Sequence, residues 1–486
     1  MRVAIVHYHL QGGGVTRIVS HLQRVLGQCG VTAVVLTGKA PPGPFPGEYR
    51  MVPGLQYEAD RPRISAHELA LAMRAAARDA LHGAPDLWHI HNHSLGKNLA
   101  LPGALHELAE QGERLLLQIH DFAEDGRPGN YSTMLTGMAR GVRQDLFCLL
   151  YPRATHVHYA VLNQRDYSYL AQAGATPSRL HLAENPVALP EAHAQAQEHK
   201  STGEPLWVYP TRAIRRKNLG EFFLWAALSR QPARFATTSG PENPAEKPRY
   251  HRWKRFAAEM RLPVMLGDEG CAGFSFAEML RQASAAITTS IAEGFGMAFL
   301  EPWLVGTPVC GRDLPDITAG FRQAGVCLPW SYTSLRVPLA WLGRERVASA
   351  AREGLRRALR AYGREISAEQ EERLLAVWLH PDGWIDFGRL NEPLQEEVIR
   401  HVLASPVDAK ALEPSSLPDP KQLISAVAVN QHLLARHFSL DAFGESISRV
   451  YRQVAASATS PLECLDGELL LDRFLAPENL SLLRVD

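Results

Sequence analysis

The sequence predicts an α/β protein built from two doubly wound parallel-sheet domains, with a helical insertion in its C-terminal half. Three observations lead there. Apolar, β-branched runs alternate with stretches of helical periodicity, twice over. A polar segment, 188–205, poor in large apolar residues, separates the two series. From about Trp330 to His437 strand signals fade and long helical stretches take over.

In the first series, "RVAIVHY" is β-branched and apolar, as a strand buried on both faces should be. "QGGGV" forms a turn, and "TRIVSHLQRVLGQCG" a helix stopped by Gly30. "VTAVVLTG" completes a βαβ unit. "SAHELALAMRAAARDAL" and "KNLALPGALHELAEQG" are helices. "DLWHIHNH", "RLLLQIHD", "ATHVHYAVLN" and "RLHLAENPV" are strands, closing a first domain at about residue 190.

The second series, about 205–330, opens with the strand "LWVYPTR" and the helix "NLGEFFLWAALSRQ". It continues with strands "ARFATTSG", "PVMLG", "SAAITTS" and "TPVCG". Between them lie helices "RWKRFAAEMRL", "FSFAEMLRQA" and "AFLEPWLVG". The expected insertion covers 331–438 with "RERVASAAREGLRRALRAYG" and "NEPLQEEVIRHVLA". The helix "SLDAFGESISRVYRQV" and a tail occupy 439–486.

Bulk properties narrow the function. A length of 486 residues allows two or three domains of ~100–200 residues. Lys plus Arg and Asp plus Glu are 51 each. A balance of zero argues against a nucleic-acid partner. The cysteines (29, 148, 271, 310, 327, 464) show no CxxC pair, which fits reduced thiols in a cytoplasm. No run approaches the ~18 apolar residues of a membrane span, and the first residues are too polar for a signal peptide.

Five stretches could carry chemistry. In "TTSIAEGFGMAFLEPW", Glu293 follows a strand end, Gly294, Phe295 and Gly296 form a turn, and Glu301 lies one turn into the next segment. Ligands of open α/β sheets bind at such strand ends. A carboxylate accepts hydrogen bonds from sugar hydroxyls, and a helix start favours phosphate. The bland reading is a helix cap beside a surface carboxylate. In "YPTRAIRRKNLGEF", Arg212 and Lys217 flank the next helix start and suit a diphosphate; otherwise the loop is a solvated basic one. In "HLQGGGVTR", Gly13 and Gly14 allow a backbone to approach a phosphate, or simply make a tight turn. "LLLQIHDF" places His120 at a strand end, where a histidine can bond a sugar hydroxyl. His89, His91 and His93 alternate along one strand, a spacing that could hold a metal.

Taken together, these motifs make the chain resemble the retaining glycosyltransferases of the GT-B fold, in the large glycogen-synthase-like family four. The resemblance covers roughly 1–326 and 439–456. "EGFGMAFLE" and "TRAIRRKN" carry it most specifically, although Thr211 stands where the family usually has glycine. It implies two Rossmann-like domains facing a cleft and a hexose moved from a nucleotide diphosphate sugar, of the UDP-glucose or GDP-mannose type. The anomeric configuration would be retained, no metal or other cofactor would be required, and the acceptor would be a small molecule or glycan. By that resemblance Arg212 and Lys217 hold the diphosphate, and Glu301 bonds the ribose. Glu293, Gly294, Phe295 and Gly296 face the transferred sugar. His120 faces it from the first domain, and Gly13–Gly14 approach the diphosphate. Alternative readings are a GT-B sugar phosphorylase, a metal-dependent hydrolase using His89, His91 and His93, and a non-catalytic sugar-nucleotide binding module.

Overall fold

The computed structural model describes residues 1–58, 62–189, 203–229, 231–267 and 274–485. Most of the 188–205 segment read as a linker, and Cys271, lie outside these residues. The chain divides into two units. One comprises Met1–Pro186, Ala361–Gly363 and His437–Leu475; the other comprises Val187–Arg360, Arg364–Arg436 and Ala476–Asp486.

The first unit holds β1 (Arg2–His7), β2 (Thr32–Thr37), β3 (Glu48–Met51), β4 (Leu87–His91), β5 (Leu115–Ile119), the short β6 (Pro152–Arg153), β7 (Val157–Val161) and β8 (Leu180–Leu182). Seven of them form a sheet in the order β3-β2-β1-β4-β5-β7-β8, with every pairing parallel. The strands β4, β5 and β7 are buried along their whole length, which is why their sequences are mostly apolar, interrupted only by His89, His91, Gln118 and His158. The order reverses direction at β1 and β4, so their carboxyl ends flank the topological switch point. The edge strand β3 escaped the sequence reading. "EYRM" is half exposed and so lacks a core pattern.

The second unit contributes β9 (Leu206–Tyr209), β10 (Arg234–Thr237), β11 (Val264–Met265), β12 (Ala285–Thr288), β13 (Val309–Arg312) and β14 (Ser331–Tyr332). Their order is β11-β10-β9-β12-β13-β14, again all parallel. Here the switch point falls between β9 and β12.

Strand signals do not vanish after Trp330. Besides β14, β15 (Arg336–Pro338) and β16 (Trp384–Asp386) pair antiparallel. Runs of two or three residues are too short to show a period. The helices Arg344–Ala361 and Glu392–Ala404 form as expected. Residues 331–436, apart from 361–363, group with the second sheet. Arg312 explains part of that. Its guanidinium bonds Glu221 of helix Leu219–Leu228 at 2.6 Å and Asp386 at 2.7 Å, and the Tyr332 hydroxyl donates to Glu221 at 2.6 Å.

Helix Leu440–Ala455 belongs to the first unit, where Tyr451 meets His89. The strand β17 (Glu463–Cys464) pairs antiparallel with β6. That pairing corrects the expectation of six separate thiols. Cys148 and Cys464 are joined, with Cα atoms 4.8 Å apart, because β17 lies beside the end of helix Arg143–Leu150. Cys29, Cys310 and Cys327 are free. Among the described residues no helix is long and apolar enough to cross a membrane.

Candidate active site

Two loops meet at the switch point of the second sheet, one after β9 and one after β12. Their sequences fold this way because each needs residues that tolerate the left-handed backbone. Ala213 and Asn218 both have φ of 51°. Asn218 ends the 3₁₀ turn Arg215–Lys217 and opens the helix Leu219–Leu228. In the second loop Gly296 has φ of 91°, and a Cβ there would stand 2.9 Å from Phe299 Cδ2. Glycine is required at that point.

These loops bring together two residues predicted separately. The Lys217 ammonium is bonded to the Glu293 carboxylate, and both side chains are largely buried. Around them runs a set of hydrogen bonds. Ser290 donates to Glu293 Oε1 at 2.6 Å. The Tyr209 hydroxyl lies 2.6 Å from Ser290 Oγ and donates to the Lys217 carbonyl at 2.9 Å. Thr289 donates to the same carbonyl at 3.0 Å. Lys217 is thus held by backbone and side chain alike. Burial pushes the Glu293 pKa up, but Lys217, Arg216 and the two hydrogen bonds outweigh it and leave it below the ordinary carboxylate value. Burial lowers the Lys217 pKa, and Glu293 opposes that fall.

Asn218 is the next anchor. Its amide donates to Glu221 at 2.8 Å, and its Oδ1 accepts from Gln395 at 2.8 Å. Gln395 comes from helix Glu392–Ala404, so the 331–438 segment supports the loop that carries Lys217.

The remaining predicted residues of this unit are arranged as follows. Arg212 is half exposed and lies 3.4 Å from the exposed Glu242. Its charge acts on Lys217, but it makes a looser contact than a closed two-cation clamp. Phe295 is buried, with its ring edge-on to Phe321; Gly294 precedes it in the turn. Glu301 is buried at the start of Glu301–Leu304. The expected long helix over "AFLEPWLVG" is corrected here. A 3₁₀ turn, Met297–Phe299, precedes a single α-turn. Pro302 cannot donate within the run and Gly306 ends the turn, so the segment that starts at Met297 is not one continuous helix.

In the first unit, His120 follows β5. Its Nε2 lies 2.8 Å from His91 Nδ1, and its backbone N–H donates to Asn92 Oδ1 at 2.7 Å. Burial lowers its pKa to about 4, so it is a neutral hydrogen-bonding group at pH 7. Gly13 and Gly14 lie at the start of helix Gly14–Gln28, which has no side-chain cap. Among the described residues nothing stands within 4 Å of where a Cβ would sit on either glycine, which leaves the backbone N–H groups there room for a ligand.

The histidine triad of the metal reading is not assembled. His89 bonds the Tyr451 hydroxyl at 2.8 Å and Gln118 at 2.9 Å. His91 bonds His120. His93 has left the strand for a 3₁₀ turn after Asn92 (φ 58°) and bonds the Leu150 carbonyl at 2.7 Å. Among the described residues no group of three His, Cys, Asp or Glu side chains is placed to hold a metal.

Sequence reasoning missed Tyr209, Asn218, Thr289, Ser290 and Gln395. The hydroxyls of "TTS" at a strand end were a usable signal. Gln395 had none, because its partner lies 177 positions away.

Two parallel sheets of this topology define the fold of the GT-B glycosyltransferases, and solved members of that class superpose on the chain. Sucrose-phosphate synthase from Thermosynechococcus elongatus matches with a TM-score of 0.54 at 15% identity, covering 93% of this chain and 98% of its own. The Anabaena protein HepE, in complex with UDP-glucose, matches with a TM-score of 0.53 at 12% identity, covering 93% and 99%. By sequence, the mannosylglucosyl-3-phosphoglycerate synthase of Petrotoga mobilis is 23% identical over 530 residues, 99% of this chain and 98% of its own. No protein-family model matches the chain.

Proposed function

We propose that this protein is a retaining glycosyltransferase that moves a hexose from a nucleotide diphosphate sugar to an acceptor. The observation that carries the reading is the buried Lys217–Glu293 pair at the switch point of the second sheet. A lysine fixed there by its own carbonyl and paired with a carboxylate is a preorganised cation. As the sugar leaves, negative charge grows on the diphosphate, and Lys217 is the group to receive it. Arg212, half exposed, adds charge from the loop's outer side. Glu293 keeps Lys217 in place and stands ready to accept from a sugar hydroxyl. Glu301 would take the ribose hydroxyls, and Gly294, Phe295 and Gly296 would offer backbone contacts to the sugar.

From the first unit, neutral His120 would bond a sugar hydroxyl, and the open Gly13–Gly14 backbone would approach the diphosphate. These cations would do the work that a divalent ion does in other sugar transfers, so the reaction is expected to proceed without metal. The nucleotide-sugar ligand of HepE and the synthase name of the Petrotoga protein support this class of chemistry.

The test is calorimetry of the purified protein against UDP, GDP, ADP and their hexose conjugates, with and without EDTA. Binding of one nucleotide that survives EDTA, followed by sugar transfer with retained configuration, is expected. Failure of all three nucleotides to bind would sink the proposal.

A further inference from the structure

The carboxyl edge of the first sheet carries cations that donor chemistry does not use. Lys39 follows β2 and is exposed. Lys97 follows the turn after β4 and is half buried. Among the described residues neither ammonium has an ion pair. The nearby acid Asp121 is already committed to Arg127, at 2.6 Å. Burial and the Arg127 charge both lower the Lys97 pKa, and Asp121 opposes them. An unpaired, half-buried ammonium is costly to keep.

Aromatic rings join the two lysines. Lys97 Nζ lies 5.7 Å from the centre of the Tyr57 ring. Tyr57 meets His9 edge-on at 4.8 Å, and the Lys39 charge acts on His9. Tyr57 packs on Tyr8 and His9 yet stays 46% exposed, so part of its surface is open to a ligand. Among the described residues, neither ring nitrogen of the buried His7 has a hydrogen-bond partner, nor has His91 Nε2. His7 lies 5.3 Å from His9 and 6.2 Å from His91, ring to ring. This edge therefore offers positive charge and an exposed ring in one place, next to buried histidines.

We propose that this edge is the acceptor site, and that the acceptor is a small anion, a phosphate monoester or carboxylate joined to a sugar. Lys97 holds the anionic group, with Lys39 adding charge. The sugar lies against Tyr57, as sugar faces do on aromatic rings, and the edge also carries His120. The assignment rests on the glycosyltransferase reading. The Petrotoga relative agrees with it in kind, since its printed name contains a phosphoglycerate.

The probe is 3-phosphoglycerate, titrated calorimetrically into the full chain, with the nucleotide titrated in parallel. Lys97→Met is expected to weaken 3-phosphoglycerate by about ten-fold or more, the loss of one charge-assisted contact. Adding Lys39→Met should weaken it further. Tyr57→Ala should weaken a sugar-bearing acid more than 3-phosphoglycerate itself. Nucleotide affinity should be unchanged in all three, which also shows that they fold. Unchanged 3-phosphoglycerate affinity in Lys97→Met would overturn the site. So would sulfate binding as tightly as 3-phosphoglycerate, or Lys97-dependent binding to phosphatidate vesicles without any to 3-phosphoglycerate. If 3-phosphoglycerate fails while a nucleotide binds, the acceptor assignment falls and the transferase reading stands. If no nucleotide binds, the transferase reading falls first.

Discussion

Lys217 and Glu293 stand 76 positions apart in the chain, yet their side chains form one buried ion pair. Breaking such a pair from one side leaves a charge without a partner, at a cost of about 3–5 kcal/mol. Lys217→Ala and Glu293→Ala should therefore each lower stability in urea by that order. The double variant should be more stable than the sum of the two losses predicts. Additive losses would mean the pair is not coupled in solution. Lys217→Ala should also reduce kcat by roughly 10²–10³-fold, the size of losing a preorganised charge.

Glu301→Ala tests a separate role. Loss of a hydrogen bond to a charged group costs about 1.5–3 kcal/mol. Nucleotide affinity should fall accordingly, measured at a temperature where the variant is folded. An unaltered dissociation constant would remove Glu301 from the ribose.

Gln395→Ala probes the 331–438 segment. It leaves the buried Oδ1 of Asn218 without its donor, at about 1–3 kcal/mol. Because Asn218 adjoins Lys217, turnover should drop along with the melting temperature. A drop in melting temperature alone would show that the segment stabilises the unit without positioning the lysine.

Acid should destabilise the protein well before its carboxylates titrate. Burial lowers the pKa of His93 and His120 to about 4 and that of His7 and His89 to about 3. In the unfolded chain a histidine titrates near 6.5. Between those values the unfolded state binds more protons, so stability falls as pH drops from about 6.5 toward 4. Glu293, held low in the folded state, removes further stability as pH falls below its unfolded value. Each histidine adds up to about 1.4 kcal/mol per pH unit to the slope. The slope of urea stability against pH should flatten by about that much in His93→Gln. An unchanged slope would mean that His93 is solvated.

Gly296→Ala should cost about 1–3 kcal/mol, since the left-handed backbone and the contact with Phe299 both resist a Cβ. Differential scanning calorimetry would show it, and a neutral result would mean the turn relaxes.

The fold class was legible in the sequence, because strands buried on both faces are mostly apolar, as β4, β5 and β7 are apart from His89, His91, Gln118 and His158. The sequence also singled out Lys217 and Glu293, which the structure brings together, and His120, which follows β5. It failed where the signal was short or polar: β3 is half exposed, and β14 to β16 are two or three residues each. It overread "AFLEPWLVG" as one helix, because apolar spacing says nothing of the donor that Pro302 removes. It read His89, His91 and His93 as one face, since strand alternation was assumed to run past Asn92.

What the tertiary structure decided was pairing. Ion pairs and hydrogen bonds act over a few ångströms of space and leave no mark on sequence distance. Lys217 could have faced a diphosphate with no carboxylate beside it; the adjacency of β9 and β12 sets it against Glu293. Likewise Asn218 meets Gln395, and Lys97 lies over the Tyr57 ring with no ion pair among the described residues.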